Sequence, residues 1–312
     1  MNDNLITFKL SDDYNIYEDI IQQIKVVLKE FIELIITKLN LNLEKIFITD
    51  NIVNDVREFQ NSKGLIVEIS DNCVGKHIYY KENDEMKCVI FYSTRVFNIL
   101  GPNYNDAVST IIHEMFHAYE KKESSKIYDI NYFNLENLIP NISILDFNIK
   151  NICNVLWEEY YAIRRTSQTL KLYTYDLETI QFFVDTIDIN INIIMNNIIY
   201  YIQNVNRDKY YFLARLYENT CEALKAYIYI FGNIEYPLEC DLEIINKLKV
   251  YRNQNLYQKL FQEMDRLINI YPDWCGIDEF KNLKNIIIEF WNDLGIFVEQ
   301  YDKEISLHIN TI

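Results

Sequence analysis

Apolar and polar positions in the first part of the chain predict a long helix and then a small sheet. From residue 14 to residue 40 apolar side chains recur at three- and four-residue steps, the spacing of one face of an amphipathic helix. A short helix is predicted at 51–60. Segments rich in β-branched and aromatic residues are typical of strands, and here they are residues 45–49, 65–69, 77–81 and 87–92. A polar link between the last two predicts a hairpin.

Helical spacing then dominates the rest of the chain. Helices are predicted at 107–120, 151–173, 176–204, 207–231, 241–250, 253–270 and 278–294. Asn105 or Asp106 can cap the first of them, because a short polar side chain accepts from the free backbone N–H groups of a first turn. The polar residues 121–125 predict its end, and residues 126–150 predict irregular structure. The end of the chain alternates on both sides of Tyr301–Lys303, which predicts a terminal β-hairpin.

This order of elements predicts an α+β fold in two parts. Residues 1–125 hold the small sheet and the 107–120 helix, and residues 126–312 hold a large, mostly helical region that ends in the hairpin. No internal repeat or low-complexity linker marks the boundary. One large domain is therefore the alternative for a chain of 312 residues.

Composition narrows the class of partner. The net charge of −16 disfavours nucleic-acid backbones and anionic membrane surfaces. The most apolar run, residues 187–202, is broken by asparagines, which argues against a membrane span. The N-terminus is acidic and lacks the apolar core of a signal peptide, so we expect a cytoplasmic protein whose six cysteines are reduced thiols.

The predicted helix at 107–120 carries the pattern H-E-x-x-H as His113, Glu114 and His117. Residues four apart lie one above the other on a helix, so both imidazoles can reach one ion. Zinc suits two neutral imidazoles, and Glu114 would then lie where it can take a proton from bound water. The alternative is a pair of half-buried or hydrogen-bonded histidines. His77, at an alternating position of a predicted strand, is expected at the surface or in hairpin packing rather than as a ligand.

A small sheet followed by an H-E-x-x-H helix resembles the zincin metallopeptidases. The resemblance implies a zincin-like core, in which an edge strand lies along the cleft and could pair with an extended peptide. A catalytic zinc needs a third protein ligand. The extended pattern H-E-x-x-H-x-x-G-x-x-H does not supply one, because Glu120 replaces its glycine and Glu123 its last histidine.

The better candidate for the third ligand is Glu159. It falls on the apolar stripe of the helix predicted at 151–173, where a carboxylate is unfavourable unless it is paired or metal-bound. An ion pair with Arg164 or Arg165 is its alternative role. Glu158, about 100° further round the helix, is the second candidate and Glu136 the third.

A helical glutamate downstream of the motif resembles the gluzincin group, and the segment E-Y-Y-A-x-R beginning at Glu159 looks like the ligand helix of bacterial members. The resemblance covers about residues 85–170. One departure is Ile163, where thermolysin-like members have an aspartate that orients a zinc histidine. That acceptor must come from elsewhere, with Glu120 or a backbone carbonyl as candidates.

The leading hypothesis is therefore a zinc metallopeptidase that acts on a peptide or protein, with Glu114 as general base. Two alternatives stay open: a non-catalytic binding or regulatory protein on a zincin scaffold, and an effector or toxin peptidase with one protein target. Tyr161 and Arg164 do not share the predicted face of Glu159, so neither is assigned to oxyanion stabilisation.

Overall fold

The structure is a computed structural model, and it has the predicted α+β composition. The residues that it describes are 5–11, 26, 30, 35–39, 41, 43–65, 69, 71–83, 85–98, 104–127, 143–170, 177–204, 207–233, 254–301 and 304–310. These residues fall into two compact units. The first unit comprises Met1–Glu123 and Thr169–Tyr173, and the second comprises Ser124–Gln168 and Thr174–Ile312.

Strands of the described residues form a four-stranded sheet in the first unit and a hairpin in the second. They are β1 (Ile6–Lys9), β2 (Leu43–Thr49), β3 (Gly75–Glu82), β4 (Glu85–Ser93), β5 (Ile296–Tyr301) and β6 (Glu304–Ile309). The order in the larger sheet is β1-β2-β4-β3, with β1, β2 and β4 parallel and β3 antiparallel to β4. The predicted strands 45–49, 77–81 and 87–92 and the terminal hairpin are confirmed. Most of the predicted strand 65–69 lies outside the described residues.

Helices of the described residues account for most of the second unit. They are α1 (Ile52–Ser62), α2 (Thr94–Asn98), α3 (Tyr104–Ile127), α4 (Ile144–Leu170), α5 (Leu177–Gln203), α6 (Lys209–Asn233), α7 (Gln254–Ile270) and α8 (Lys281–Asp293), with a 3-10 turn at Ile277–Phe280. Residues 35–39 are helical, but most of the helix predicted at 14–40 and all of that predicted at 241–250 lie outside the described residues. No helix in the described ranges combines the length and apolarity needed to cross a bilayer.

The four-stranded sheet has apolar side chains on both faces. Strand β4 is buried from Cys88 to Ser93, as expected for a central strand covered on two sides. On one face, Phe91 stacks on Phe47 with ring centroids 4.6 Å apart, and both pack against Val56 of α1. On the other face, the buried Tyr92 hydroxyl donates to a backbone carbonyl of α3 at 2.9 Å. The hydrogen bond ties α3 to the sheet.

Two predicted boundaries of α3 are wrong. The helix begins at Tyr104, so Asn105 and Asp106 lie inside its first turn rather than at its cap. It also continues through the predicted exit at 121–125 to Ile127. Lysine and glutamate are good helix formers, and Ser124 in this stretch is fully buried, so a polar composition did not mark an end.

Helix α4 begins earlier than the predicted residue 151. The Ser143 hydroxyl accepts from the backbone N–H of Asp146 at 3.1 Å, which is the arrangement of a helix N-cap. Gln300 of β5 accepts from the backbone N–H of Leu145 at 3.0 Å. The side chain of Trp157, midway along α4, packs its ring 4.6 Å from that of Trp274. An aromatic core thus holds α4 within the second unit.

Candidate metal centre

Helix α3 carries the three motif residues in the first unit. His117 and Glu114 are buried, whereas His113 is half-buried. The Nε2 atoms of His113 and His117 lie 2.9 Å apart, and their rings are nearly perpendicular, at 88°. The two ring nitrogens therefore meet at one place, as two ligands on successive turns must do.

The distance between the two Nε2 atoms can be compared with the distance between two nitrogen ligands of one zinc ion. Tetrahedral zinc with bonds of about 2.0–2.1 Å places two of its nitrogen ligands about 3.3 Å apart. The 2.9 Å between the Nε2 atoms of His113 and His117 needs an opening of a few tenths of an ångström to match. The same separation also fits an N–H···N hydrogen bond between the rings if one of them is protonated at Nε2. The donor set fits zinc, and metal binding by it stays a prediction.

The Glu114 side chain points from α3 to strand β3, where His77 makes two contacts with its carboxylate. Its Oε2 atom accepts from the backbone N–H of His77 at 3.1 Å and lies 3.0 Å from His77 Nδ1. Gly75 makes this approach possible, because a Cβ atom at that position would lie only 2.8 Å from Glu114 Cγ. Strand and helix are thus packed too closely here for a side chain on Gly75.

Burial and hydrogen bonding act in opposite directions on Glu114. Burial raises the pKa of the Glu114 carboxyl, but the His77 hydrogen bond and the charges of His77, His117 and His113 outweigh it and lower that pKa. Burial also lowers the pKa of His77, against the influence of the carboxylate. At neutral pH the pair is therefore an ionised Glu114 that accepts from a neutral imidazole.

His77 is the residue of this site that sequence reasoning placed wrongly. It was expected in surface or hairpin packing, but it is half-buried and stacks on His117 with ring centroids 4.7 Å apart and 17° between planes. Alternation along β3 puts Ile78 and Tyr80 in the core with α1, so His77 faces the side of the sheet that α3 covers. The alternation along β3 is visible in the sequence. Which face of the sheet α3 covers is set by the tertiary fold, so the sequence alone did not place His77 beside α3.

The remaining predicted ligand, Glu159, lies on α4 in the second unit. Its Oε2 atom accepts from the Tyr229 hydroxyl of α6 at 2.8 Å. Glu158 accepts from the Asn154 amide. Both glutamates are half-buried, because α4 is covered on most of its circumference, so burial does not separate them as the sequence argument expected. The third candidate, Glu136, lies outside the described residues.

No protein-family model, curated protein or solved structure matches this chain. Function is therefore inferred from the residues themselves.

Proposed function

We propose that this protein is a zinc-dependent peptidase of the zincin type, with His113 and His117 as metal ligands. The observation that carries the proposal is the convergence of their Nε2 atoms, 2.9 Å apart, beside the buried carboxylate of Glu114. Zinc bound there would polarise a peptide carbonyl and acidify a bound water. A purely structural zinc would not need an ionised carboxylate next to its ligands.

Glu114 is suited to the role of general base. A base must be ionised before it accepts a proton, and a glutamate is ionised at neutral pH. The lowered pKa of Glu114 makes it a weaker base, so the transfer would depend on zinc to acidify the water. Its Oε2 atom holds the two contacts with His77, and no described residue donates to Oε1. The carboxylate would receive the proton of a water and pass it to the leaving amine.

Strand β3 supports an extended peptide as the substrate. Among the described strands it is the edge strand, next to β4. The hydrogen bond from the Ser93 N–H to the Val74 carbonyl, 2.8 Å, shows which backbone groups of β3 point toward β4. By the alternation of such groups along a strand, the odd-numbered residues of β3 direct their N–H and C=O groups away from β4. The His77 N–H is already donated to Glu114, which leaves the His77 carbonyl and both backbone groups of Tyr79 for pairing. A peptide strand could pair with those groups beside Glu114.

Glu159 completes the proposed ligand set on the argument from sequence. A carboxylate would compensate the charge that two neutral imidazoles leave on a dication. Carboxylates that bind metals are usually hydrogen-bonded, and the Tyr229 hydroxyl gives Glu159 such a partner within the second unit.

One observation favours a second function, a non-catalytic protein that keeps the zincin scaffold. Glu114 is already engaged by His77, as a carboxylate with a purely structural role would be. In that case Glu114 would brace strand against helix, and the zinc site would serve binding or stability.

Replacement of Glu114 by glutamine separates the two functions. Glu114→Gln removes the base and leaves His113 and His117, so zinc content should stay at the wild-type value while hydrolysis of an internally quenched peptide mixture is lost. Turnover of that mixture by Glu114→Gln at the wild-type rate would show that Glu114 is not the base. His308→Asn, at an exposed histidine of β6, is the matched control and should behave as wild type.

A further inference from the structure

The contact between β3 and α3 is built around one oxygen atom of Glu114. The backbone N–H and the ring Nδ1 of His77 lie at 3.1 and 3.0 Å from Oε2, and the exposed fractions of the His77 and Glu114 side chains are 13% and 11%. An ionised carboxylate has no proton to donate. With Glu114 ionised, the 3.0 Å contact is a hydrogen bond only when the ring carries its proton on Nδ1.

From this geometry we infer that His77 is a positioning residue, which fixes the place and the rotation of the Glu114 carboxylate through Oε2. The inference rests on the proposed function. Two donors from one residue fix both the position and the rotation of the carboxylate plane, which a single hydrogen bond would leave free. Gly75 contributes the space, because any side chain there would push Glu114 away from β3.

The ring nitrogens of His77 and His117 come within 4.8 Å of each other, so a shared ion is the alternative to the positioning role. Imidazole lone pairs lie in the ring plane, and the His77 and His117 planes are stacked, only 17° from parallel. Lone pairs of two stacked rings run side by side and do not converge at the roughly 2 Å that a zinc bond requires. The nearly perpendicular rings of His113 and His117 do converge. The role of His77 is therefore to hold Glu114.

The first test determines which ring nitrogen of His77 carries the proton, and it needs no substrate. The chain has four histidines, so ¹⁵N-histidine labelling gives a simple spectrum in which His77→Asn identifies the His77 signals. We expect the Nδ1–H form in the wild type, the same form in Glu114→Gln, whose amide oxygen can still accept, and loss of that preference in Glu114→Ala. An Nε2–H form in the wild type, or a His77 Nε2 signal that shifts as a direct ligand when zinc is added, would overturn the inference.

The second test uses two replacements of His77 that differ in one hydrogen-bond donor. The amide nitrogen of His77→Asn occupies the place of Nδ1, whereas His77→Leu has similar bulk and no donor. We expect kcat on the peptide mixture to fall roughly 10- to 100-fold in His77→Leu and to recover to within about 3-fold in His77→Asn. KM and zinc affinity should change little in either, and His308→Leu should match the wild type.

Other outcomes are equally decisive. Equal losses of kcat in His77→Asn and His77→Leu would show that the Nδ1–H donor is not what matters. A tenfold loss of zinc affinity in both would make His77 a ligand. A wild type that binds no zinc and cleaves nothing would end the proposed function, while the ring-proton measurement would still decide whether His77 holds Glu114.

Discussion

Gly75 shows at the scale of single residues how closely β3 approaches α3. A Cβ atom there would lie 2.8 Å from Glu114 Cγ and 3.1 Å from Oε1, so Gly75→Ala must displace the glutamate. We expect this variant to keep its zinc but to lose roughly 100-fold in hydrolysis, because the base moves by a fraction of an ångström or more. Steady-state kinetics with parallel metal analysis measure both. Unchanged kcat in Gly75→Ala would show that Glu114 does not need its present position, and Lys76→Ala, on the opposite face of β3, is the control.

Glu159 and Glu158 form a matched pair for the third ligand. If Glu159 binds the metal, Glu159→Ala should weaken zinc affinity roughly 10-fold or more, since even the partners of ligands have effects of that size. Glu158→Ala should be nearly silent, because it leaves the Glu159 carboxylate and both histidines in place. Competition with a chromogenic chelator gives both affinities. The reverse pattern would assign the ligand to Glu158.

At this scale the sequence predicts some site residues and not others. The spacing of His113, Glu114 and His117 depends only on helix geometry, and the helix that carries them is confirmed. The role of His77 depends on which strand forms the edge of the sheet and which face α3 covers, and both are non-local. The preference for Glu159 over Glu158 assumed a helix buried on one stripe, whereas α4 is buried almost all round.

At the scale of elements, the face of the sheet covered by α1 holds an aromatic core in the first unit. Phe91 is fully buried between Phe47 and Phe59, with ring centroids 4.6 and 5.7 Å away. Phe91→Ala should lower the free energy of unfolding by about 3–5 kcal/mol, through lost burial and the cavity left behind. Phe182→Ala, at a ring that is 64% exposed on α5, should change it by less than about 0.5 kcal/mol. Urea denaturation measures both, and equal effects would contradict the described core.

Long periodic elements were predictable, and short or non-local ones were not. Helices α4 to α6 were found because their 3.6-residue period extends over more than twenty residues each. Strand β1 has only four residues and its stability depends on parallel pairing with β2, so no local pattern marked it. The early start of α4 had a readable signal in Ser143 and Asp146, which form an N-cap interaction.

At the scale of the whole molecule, the α+β composition, the small sheet and the terminal hairpin follow from hydrophobic pattern alone. The parallel order of β1, β2 and β4 does not, because parallel strands are joined through distant parts of the chain. The net charge of −16 is a property of the full sequence, and the partner class expected from it stays a prediction.

The zinc content of the freshly purified protein, prepared without chelators, is the most direct measurement of the central proposal. We predict about one zinc per chain in the wild type and in His308→Ala, because His308 lies on an exposed strand position, and almost none in His113→Ala. Circular dichroism should show that His113→Ala retains its helices. A wild type without zinc, or His113→Ala with as much zinc as the wild type, would contradict the proposed metal centre.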